Sequence, residues 1–259
     1  MLSFLKNHPF AVDAFFENSI VLTFAFPKDK LAHLIPECLS LDLFNDEWAF
    51  IAVALVQTKD LRPAGFPKFL GNDFILVGYR VFVRYTNNAG KSLRGLYILK
   101  SQTDKKKMEF FGNLFTHYNY TTTDIKYTRN DNQLEIKSIA SDFKIQLETG
   151  SEAVELPVNS PFADWKEARR FAGPLPFTFT YDGKTKKVLI IEGVRENWKP
   201  KPVKVIDYHI SFLNSLGLAH EILANAFIIE NIPYRWKKVK LNNGTVKKAF
   251  SGDMEYRSS

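Results

Sequence analysis

The stretch FILVGYRVFVRY, residues 74–85, says more about the fold than any other part of the chain. Its residues alternate between two sets, as the two faces of a β-strand require. One set is apolar or aromatic throughout: Ile75, Val77, Tyr79, Val81 and Val83. The other set mixes residue types: Leu76, Gly78, Arg80, Phe82 and Arg84. We predict that the first face packs against a covering layer. Of the second face, Leu76, Gly78, Arg80 and Phe82 are predicted to line a partly filled cavity.

Turn residues on both sides of this strand predict antiparallel pairing. Asn87-Asn88-Ala89-Gly90 follows it, and residues 92–102 return as its partner strand. Similar runs recur between turns, giving about a dozen strands, whereas short helices are predicted only near residues 27–35, 104–115, 162–171 and 211–216. Strands joined by turns argue against a doubly wound sheet. We therefore predict an α+β fold that is predominantly antiparallel β, a single barrel or cone with a few short peripheral helices.

The composition fits one domain with a large core. Hydrophobic residues make up 45% of the 259 residues and charged residues 24%, and the aromatic residues include 23 Phe, 10 Tyr and 4 Trp. We predict a single domain over residues 1–259 whose last residues, 250–259, form a mobile tail. Residues 1–10 lack the apolar centre of a signal peptide, and no apolar run reaches the roughly 18 residues of a membrane-spanning helix. We expect a cytoplasmic protein without membrane association.

The positive charge is concentrated near the C-terminus. Residues 201–259 contain nine basic and five acidic residues and so carry four of the seven net positive charges. Such a segment either binds nucleic acid or anionic lipid, or forms a lysine-rich edge strand that discourages aggregation. We predict the edge strand, and hence no specific binding to nucleic acid.

Motifs of common catalytic and cofactor sites are missing from the sequence. Cys38 is the single cysteine, which excludes an internal disulfide. The sequence has no glycine-rich phosphate loop, no zinc-binding His or Cys pair and no Gly-x-Ser-x-Gly motif. We therefore predict neither a metal nor a cofactor.

Arg80 is the polar residue that stands out most in a strand expected to be buried. A buried guanidinium stays charged and needs an anionic partner or several acceptors. Gly78 lies two positions earlier on the same face and leaves space beside it. Either Arg80 anchors the carboxylate of a ligand in a pocket, or it forms an internal salt bridge or points outward.

Two further segments carry reactive side chains. Lys100 interrupts the apolar run 96–99; a desolvated lysine becomes a nucleophile that forms Schiff bases, whereas one that extends into solvent does not. His117-Tyr118-Asn119-Tyr120 follows the predicted helix and either lines a cavity mouth or consists of satisfied core groups. The candidate catalytic residues are Lys100, His117 and Tyr120. The candidate ligand-binding residues are Arg80, Gly78, Tyr118 and Gln102.

Several segments, in order along residues 15–240, resemble the YqjF-like family (domain of unknown function 2071) of the acetoacetate decarboxylase-like superfamily. They are FPKDKLAHLIPECLSLD (26–42), FILVGYRVFVRY (74–85), GLYILKSQTD (95–104), GNLFTHYNY (112–120), EARRF (167–171) and VRENWKPKPVKVID (194–207). The resemblance implies an antiparallel barrel or cone around an apolar cavity, in agreement with the strand pattern.

The resemblance also implies that the decarboxylase chemistry is missing. In the decarboxylase, a lysine just past the helix forms the Schiff base, and the corresponding stretch here, residues 116–122, contains no lysine. The arginine of the decarboxylase's first strand would fall near Ala25 or Phe26 and is also absent. The serine and aspartate of the YqjF-like pattern are Lys100 and Gln102 in this chain.

Three functions remain open from the sequence. The first is a barrel that binds a small, partly apolar molecule, anionic if Arg80 binds it, without decarboxylase activity. The second is an aldolase- or dehydratase-like enzyme in the same cavity, and the third is a structural or partner-binding barrel with a packed interior. A cavity of several hundred Å³ with converging polar groups favours the first two. The sequence specifies neither the ligand nor the oligomeric state.

Overall fold

Long strands form most of the regular structure. The computed structural model describes residues 5–87, 89–150, 153–195, 198–218 and 221–243, so the predicted mobile tail, 250–259, lies outside the described residues. The strands are β1 (Val12–Pro27), β2 (Ser40–Leu41), β3 (Trp48–Pro63), β4 (Asn72–Thr86), β5 (Ser92–Thr103), β6 (Tyr120–Thr122), β7 (Lys126–Asn130), β8 (Gln133–Ser138), β9 (Phe143–Glu148), β10 (Phe177–Asp182), β11 (Lys187–Arg195), β12 (Lys201–Pro202), β13 (Lys204–Ile210), β14 (Ile222–Trp236) and β15 (Lys240–Asn243). The helices are α1 (Lys28–Leu31), α2 (Lys106–Phe115), α3 (Trp165–Ala172) and α4 (Ser211–Ser215), with 3₁₀ turns at Leu5–Asn7, Ala32–Leu34 and Lys68–Leu70.

Seven strands pair in a closed ring. β14, β1, β3, β4 and β5 follow one another with antiparallel pairing. β5 then pairs in parallel with β10, and β10 pairs antiparallel with β11. Because β11 also pairs with β14, the order returns to its first strand. The prediction of a mostly antiparallel β fold with a few short helices is confirmed.

A second sheet covers one side of the ring. It consists of β13, β9, β8 and β7, all antiparallel. Leu134, Ile136 and Ile145 of this sheet share a buried cluster with Val77 and Tyr79 of β4. The uniformly apolar face of β4 therefore packs against a covering layer, as the alternation predicted.

β3 is buried along most of its length because both of its faces are covered. Ile51, Val53 and Leu55 belong to the cluster between ring and second sheet, whereas Ala52 and Ala54 point the other way, into the ring. Small side chains on the inward face leave space that larger ones would fill.

A buried carboxylate ties β2 to the ring. Asp42, just after β2, is fully buried, and its two oxygens accept hydrogen bonds from Nε of Arg84 and Nε of Arg94, each at 2.6 Å. Arg94 also donates through Nη2 to the carbonyl of Phe171 in α3, at 3.0 Å. The two guanidiniums neutralise a charge that would otherwise be costly to bury.

The described basic residues of the C-terminal segment lie on strands or in the short links between them. Three of these basic residues form ion pairs within the described structure, namely Lys204–Glu148, Arg235–Asp13 and Lys237–Glu192. Lys240 begins β15, which stands at one end of the strand order and pairs with β11 alone. Lys240 is the one lysine of β15, so the lysine-rich edge strand and the absence of specific nucleic-acid binding both stay predictions. Within the described residues, no helix combines the length and apolar character that crossing a membrane requires.

Candidate functional site

The ring encloses a cavity of about 100 Å³. Each of its seven strands contributes lining residues, among them Ser19, Ala54, Arg80, Ile98, Thr178, Arg195 and Tyr234. Residues 172–175, which run from the last residue of α3 towards β10, also line it, as do Tyr118 in the α2–β6 connection and Tyr120 at the start of β6. The volume is smaller than the several hundred Å³ typical of drug-sized ligands, so the cavity itself has room for a small molecule only.

Arg80 lines this cavity from the centre of β4. Its side chain is half-buried and folds back over Gly78, which therefore lies beneath the guanidinium. The Nε atom is buried and has no hydrogen-bond partner among the described residues. A guanidinium stays charged at every physiological pH, so this donor is available to an anion in the cavity.

A second guanidinium reaches the cavity from the end of β11. Arg195 donates through Nη2 to the carbonyl of Pro174 at 2.8 Å, and its guanidinium carbon lies 4.3 Å from the ring centroid of Trp198. Nε1 of Trp198, which also lines the cavity, is buried without a partner in the described structure. Neither aspartate nor glutamate is found among the described lining residues. The described cavity wall therefore carries two positive charges and no negative one.

Two tyrosines supply neutral hydroxyl groups. Burial raises the pKa of Tyr118 far above its ordinary value and that of Tyr120 to about 12, and the positive charge of Arg80 opposes both shifts. The hydroxyl of Tyr118 is buried and has no partner among the described residues. Both tyrosines remain protonated at neutral pH and can donate a hydrogen bond to a ligand.

Helix α2 holds Tyr120 in place. The Asn113 amide donates to the carbonyl of Tyr120, and the Asn113 side-chain oxygen accepts from its backbone N–H, each at 2.8 Å. The Tyr120 ring packs against Gly112, where an added Cβ would come within 2.3 Å of ring carbon Cδ2. Only glycine allows this close approach between helix and ring.

Lys100 and Gln102 lie on the opposite face of β5 from the cavity. Tyr79 pairs with Lys100 but Arg80 pairs with Ile98, so Leu99 forms a β-bulge that reverses the alternation beyond it. The Lys100 ammonium lies 4.9 Å from the ring centroid of Phe212 in α4. Gln102 accepts a hydrogen bond from the Tyr79 hydroxyl at 3.1 Å and donates to Ser141 at 2.9 Å. Both residues belong to the layer between ring and second sheet.

His117 lies away from the cavity. Its Nε2 is 3.3 Å from the Asn7 side-chain oxygen, and burial lowers the pKa of its imidazole. Of the three candidate catalytic residues, the structure brings Tyr120 alone to the cavity wall. Of the candidate ligand-binding residues, Arg80 and Tyr118 line it and Gly78 supports Arg80 from below.

A second, more open pocket of about 310 Å³ lies next to the cavity. It is bounded by α2, by residues 61–72 and by the N-terminal residues 8–12. The two spaces share four lining residues, namely Leu61, Tyr118, Tyr120 and Trp236. We refer to them as the inner cavity and the outer pocket.

A wider groove of about 480 Å³ runs along α3. Lys166, Arg169 and Arg170 line it, and it is open to solvent. Their charged groups can be hydrated there, so the groove imposes less need for a bound anion than the inner cavity does.

The sequence of the chain matches the model of a protein family over residues 14–228. That family is domain of unknown function 2071, described as an uncharacterized conserved protein. The chain belongs to it. The resemblance noted in the sequence is thereby confirmed, and comparison with curated proteins gives no match.

Solved structures with the same fold are acetoacetate decarboxylase-like proteins. Acetoacetate decarboxylase from Legionella pneumophila gives a TM-score of 0.55 at 11% identity, over 88% of this chain and 86% of that one. An acetoacetate decarboxylase-like enzyme from Sphingomonas wittichii gives 0.54 at 11% identity, over 92% and 94%. The enduracididine biosynthesis enzyme MppR, complexed with pyruvate, gives 0.55 at 8% identity, over 90% of each chain. At these identities the likeness shows the fold alone.

Sequence reasoning did not single out Arg195 and Trp198 as site residues. Both lie in the segment VRENWKPKPVKVID that resembles the family, immediately after an apolar strand pattern. An arginine and a tryptophan at the end of a strand were the available signal, because strand ends carry site residues in many folds. They line the same cavity as Arg80 because the ring closes through β11 and β14, and the sequence does not reveal this closure.

Proposed function

We propose that the inner cavity binds a small carboxylate through Arg80 and Arg195. The observation that carries this proposal is the charge of the described wall, which has two guanidiniums and no carboxylate. A half-buried arginine without a counter-ion is unfavourable, and a bound anion removes that cost. Hydrogen bonds between guanidinium and carboxylate are among the strongest in proteins.

The unsatisfied hydrogen-bond donors of the cavity support the same ligand. Nε of Arg80, the hydroxyl of Tyr118 and Nε1 of Trp198 are buried without partners in the described part of the chain. Buried donors in native structures are normally satisfied, and a ligand rich in acceptors satisfies several at once. The apolar remainder of the wall, with Ile98, Phe82 and Val21, suits a partly apolar carbon skeleton.

The pyruvate bound to MppR provides a comparison, since pyruvate is a small carboxylate. MppR shares the fold of this chain, although the identity of 8% transfers no residue role. We propose the ligand class and no reaction. Lysine is absent from the described lining residues, which supports a cavity without Schiff-base chemistry.

The enzymatic alternative, an aldolase- or dehydratase-like reaction in this cavity, has less support. Its nucleophile candidate, Lys100, lies on the other face of β5, and His117 contacts Asn7. The packed-barrel alternative also has less support. The inner cavity, at about 100 Å³, is smaller than the several hundred Å³ expected from the sequence, but its wall carries buried donors without partners among the described residues.

Thermal unfolding with added ligand tests the proposal. The protein is titrated with pyruvate, acetoacetate and butyrate against sodium chloride of equal ionic strength. A ligand at about 100 times its Kd stabilises by about 2.7 kcal/mol, which for a chain of this size raises Tm by about 5–10 °C. Carboxylates should raise Tm, whereas propanol and butanol should not.

Variants distinguish the effect of a positive charge in the cavity from the effect of the net charge of the protein. Arg80→Met should fold and lose most of the carboxylate-dependent rise in Tm, and Arg195→Met should weaken it. Lys100→Met is the matched control, since it removes a positive charge from the opposite face of the neighbouring strand. If Arg80→Met keeps the full carboxylate response, or Lys100→Met loses it equally, the proposed function is wrong.

A further inference from the structure

The outer pocket gives the inner cavity a second compartment of different chemistry. It has about three times the inner volume, about 310 Å³ against about 100 Å³. Apolar and aromatic side chains dominate its wall, including Phe10, Leu70, Met108, Phe111 and Phe115. The outer wall also carries Arg62 and Lys107, but Arg62 already donates hydrogen bonds to the carbonyls of Asp60 and Phe66. The inner wall holds Arg80 and Arg195, and Nε of Arg80 is buried without a partner among the described residues.

Tyr118 and Tyr120 stand between the two compartments. Both line both spaces, and their ring centroids are 6.1 Å apart. Their hydroxyl-bearing rings lie within electrostatic reach of Arg80, and Gly112 of α2 lies directly behind the Tyr120 ring. Because both rings line both spaces, a ligand that occupies the two compartments together has to lie against them.

The rim of the outer pocket exposes large apolar side chains. Leu70 is 50% exposed and Phe111 41% exposed, although both line the pocket. Exposed apolar surface that surrounds a concave pocket is typical of ligand-binding sites. A bound alkyl chain would cover this surface.

From these observations we infer that the ligand is an amphipathic carboxylate whose linear alkyl chain occupies the outer pocket. The inference rests on the proposed function, since the inner cavity holds the carboxylate. The chain passes the two tyrosines and lies against Met108 and Phe111. Medium-chain carboxylates of about six to ten carbons are therefore bound more tightly than pyruvate or butyrate, because each buried methylene adds affinity.

Calorimetric titration with butyrate, hexanoate, octanoate and decanoate measures this directly. Burial of each added methylene should tighten Kd about fourfold until the outer pocket is full. 1-Octanol, which has the chain without the charge, should bind much more weakly than octanoate. Arg80→Met should raise the Kd of octanoate and the Kd of butyrate by the same factor.

The chain offers two matched pairs of variants for the outer pocket. Phe111→Asp changes a lining residue, whereas Phe110→Asp changes its neighbour on α2, which is 65% exposed and does not line the pocket. Leu70→Asp and Phe69→Asp form the second pair, with Phe69 84% exposed and outside the wall. All four positions are exposed enough to accept a charge without unfolding the chain.

Phe111→Asp and Leu70→Asp should each bind octanoate at least tenfold more weakly and bind butyrate as the parent protein does. Phe110→Asp and Phe69→Asp should bind both carboxylates as the parent protein does. If butyrate binds through Arg80 but Kd does not fall with chain length, the alkyl pocket is refuted and the proposed function stands. If octanoate and 1-octanol bind with equal affinity and Arg80→Met changes neither affinity, the alkyl pocket and the proposed function are both refuted. Loss of octanoate binding in Phe110→Asp and Phe69→Asp as well would also overturn the inference.

Discussion

The guanidinium of Arg80 lies so close over Gly78 that a Cβ atom added to this glycine would come within 3.2 Å of both Nε and Nη2. The glycine has an ordinary extended backbone, because its φ is not among the positive values found in the chain. Its role is to leave room for the side chain two residues later. The position of the charge in the cavity therefore depends on a residue that carries no functional group.

Gly78→Ala should displace the Arg80 guanidinium by a few tenths of an ångström while the strand stays intact. Alanine suits a strand better than glycine, so we expect stability to change by less than about 1 kcal/mol. Carboxylate affinity should fall by about three- to tenfold, since small displacements of charged groups weaken binding strongly. Parallel unfolding and titration experiments measure both quantities. Gly183→Ala, at a turn where an added Cβ meets no atom within 4 Å, is the control and should leave affinity unchanged.

Treatment with acetoacetate and borohydride should leave the mass of the protein unchanged. A Schiff base forms when a lysine amine condenses with the ketone and releases water, and borohydride reduces its C=N bond to a stable amine. Residues 116–122 contain no lysine, and the described cavity wall contains none either. Intact-mass spectrometry is the measurement, with an acetoacetate decarboxylase as positive control. A stoichiometric adduct would contradict the prediction, and peptide mapping would identify the lysine.

Replacing the buried carboxylate Asp42 should destabilise the fold strongly. Asp42→Asn leaves the guanidiniums of Arg84 and Arg94 without the negative charge that both contact at 2.6 Å. The side chains of Arg84 and Arg94 are 43% and 29% exposed and can be partly hydrated, so we expect a loss of about 1.5–3 kcal/mol. The midpoint of urea unfolding reports the loss. Asp13→Asn, which breaks the exposed pair with Arg235, should have a clearly smaller effect.

Asp124 should make stability depend on pH in the acidic range. The Ser138 hydroxyl at 2.5 Å and the backbone N–H groups of Ala140 at 3.0 Å and Ile139 at 3.2 Å donate to its carboxylate and lower its pKa to about 2. Because the pKa of Asp124 in the folded state lies below its ordinary value, the contribution of Asp124 to the free energy of unfolding is fully present above about pH 4. It is lost as the pH falls through about 2.

NMR titration of Asp124 should give the low pKa, and Ser138→Ala should raise it toward the ordinary value. Asp124→Asn should flatten the loss of stability between pH 4 and pH 2 relative to the parent chain. An ordinary pKa for Asp124, or identical pH dependence in the parent and the variant, would contradict this account.

Strand alternation predicted the two faces of β4, since local sequence determines which side chains point together. Val77 and Tyr79 pack against the second sheet, and Arg80 lines the cavity, as residues 74–85 indicated. The same rule failed on β5. Alternation from Ile98 places Lys100 on the cavity side, but the bulge at Leu99 moves it to the other face. No residue type at position 99 announces a bulge, because the bulge arises from pairing with β4.

Long-range pairing limited the prediction of the site more than local structure did. The helix before His117 was predicted, and α2 ends at Phe115. Which of the following side chains enters the ring depends on the parallel pairing of β6 with β5, where Tyr120 lies beside Ser101. That pairing turns Tyr120 inward and leaves His117 beside Asn7. Arg195 joins the site only because residues distant in sequence, on β11 and β14, pair.

The closed order of strands determines which backbone amides a bound ligand would protect from hydrogen exchange. Since all seven strands wall the cavity, separation of any neighbouring pair breaches it. Local fraying that leaves the ring intact would retain the ligand, whereas ring opening would release it. Ligand should therefore slow hydrogen exchange most at the amides that exchange through global unfolding, those in the middle of β1, β3 and β4, and leave the outer strands of the second sheet almost unaffected.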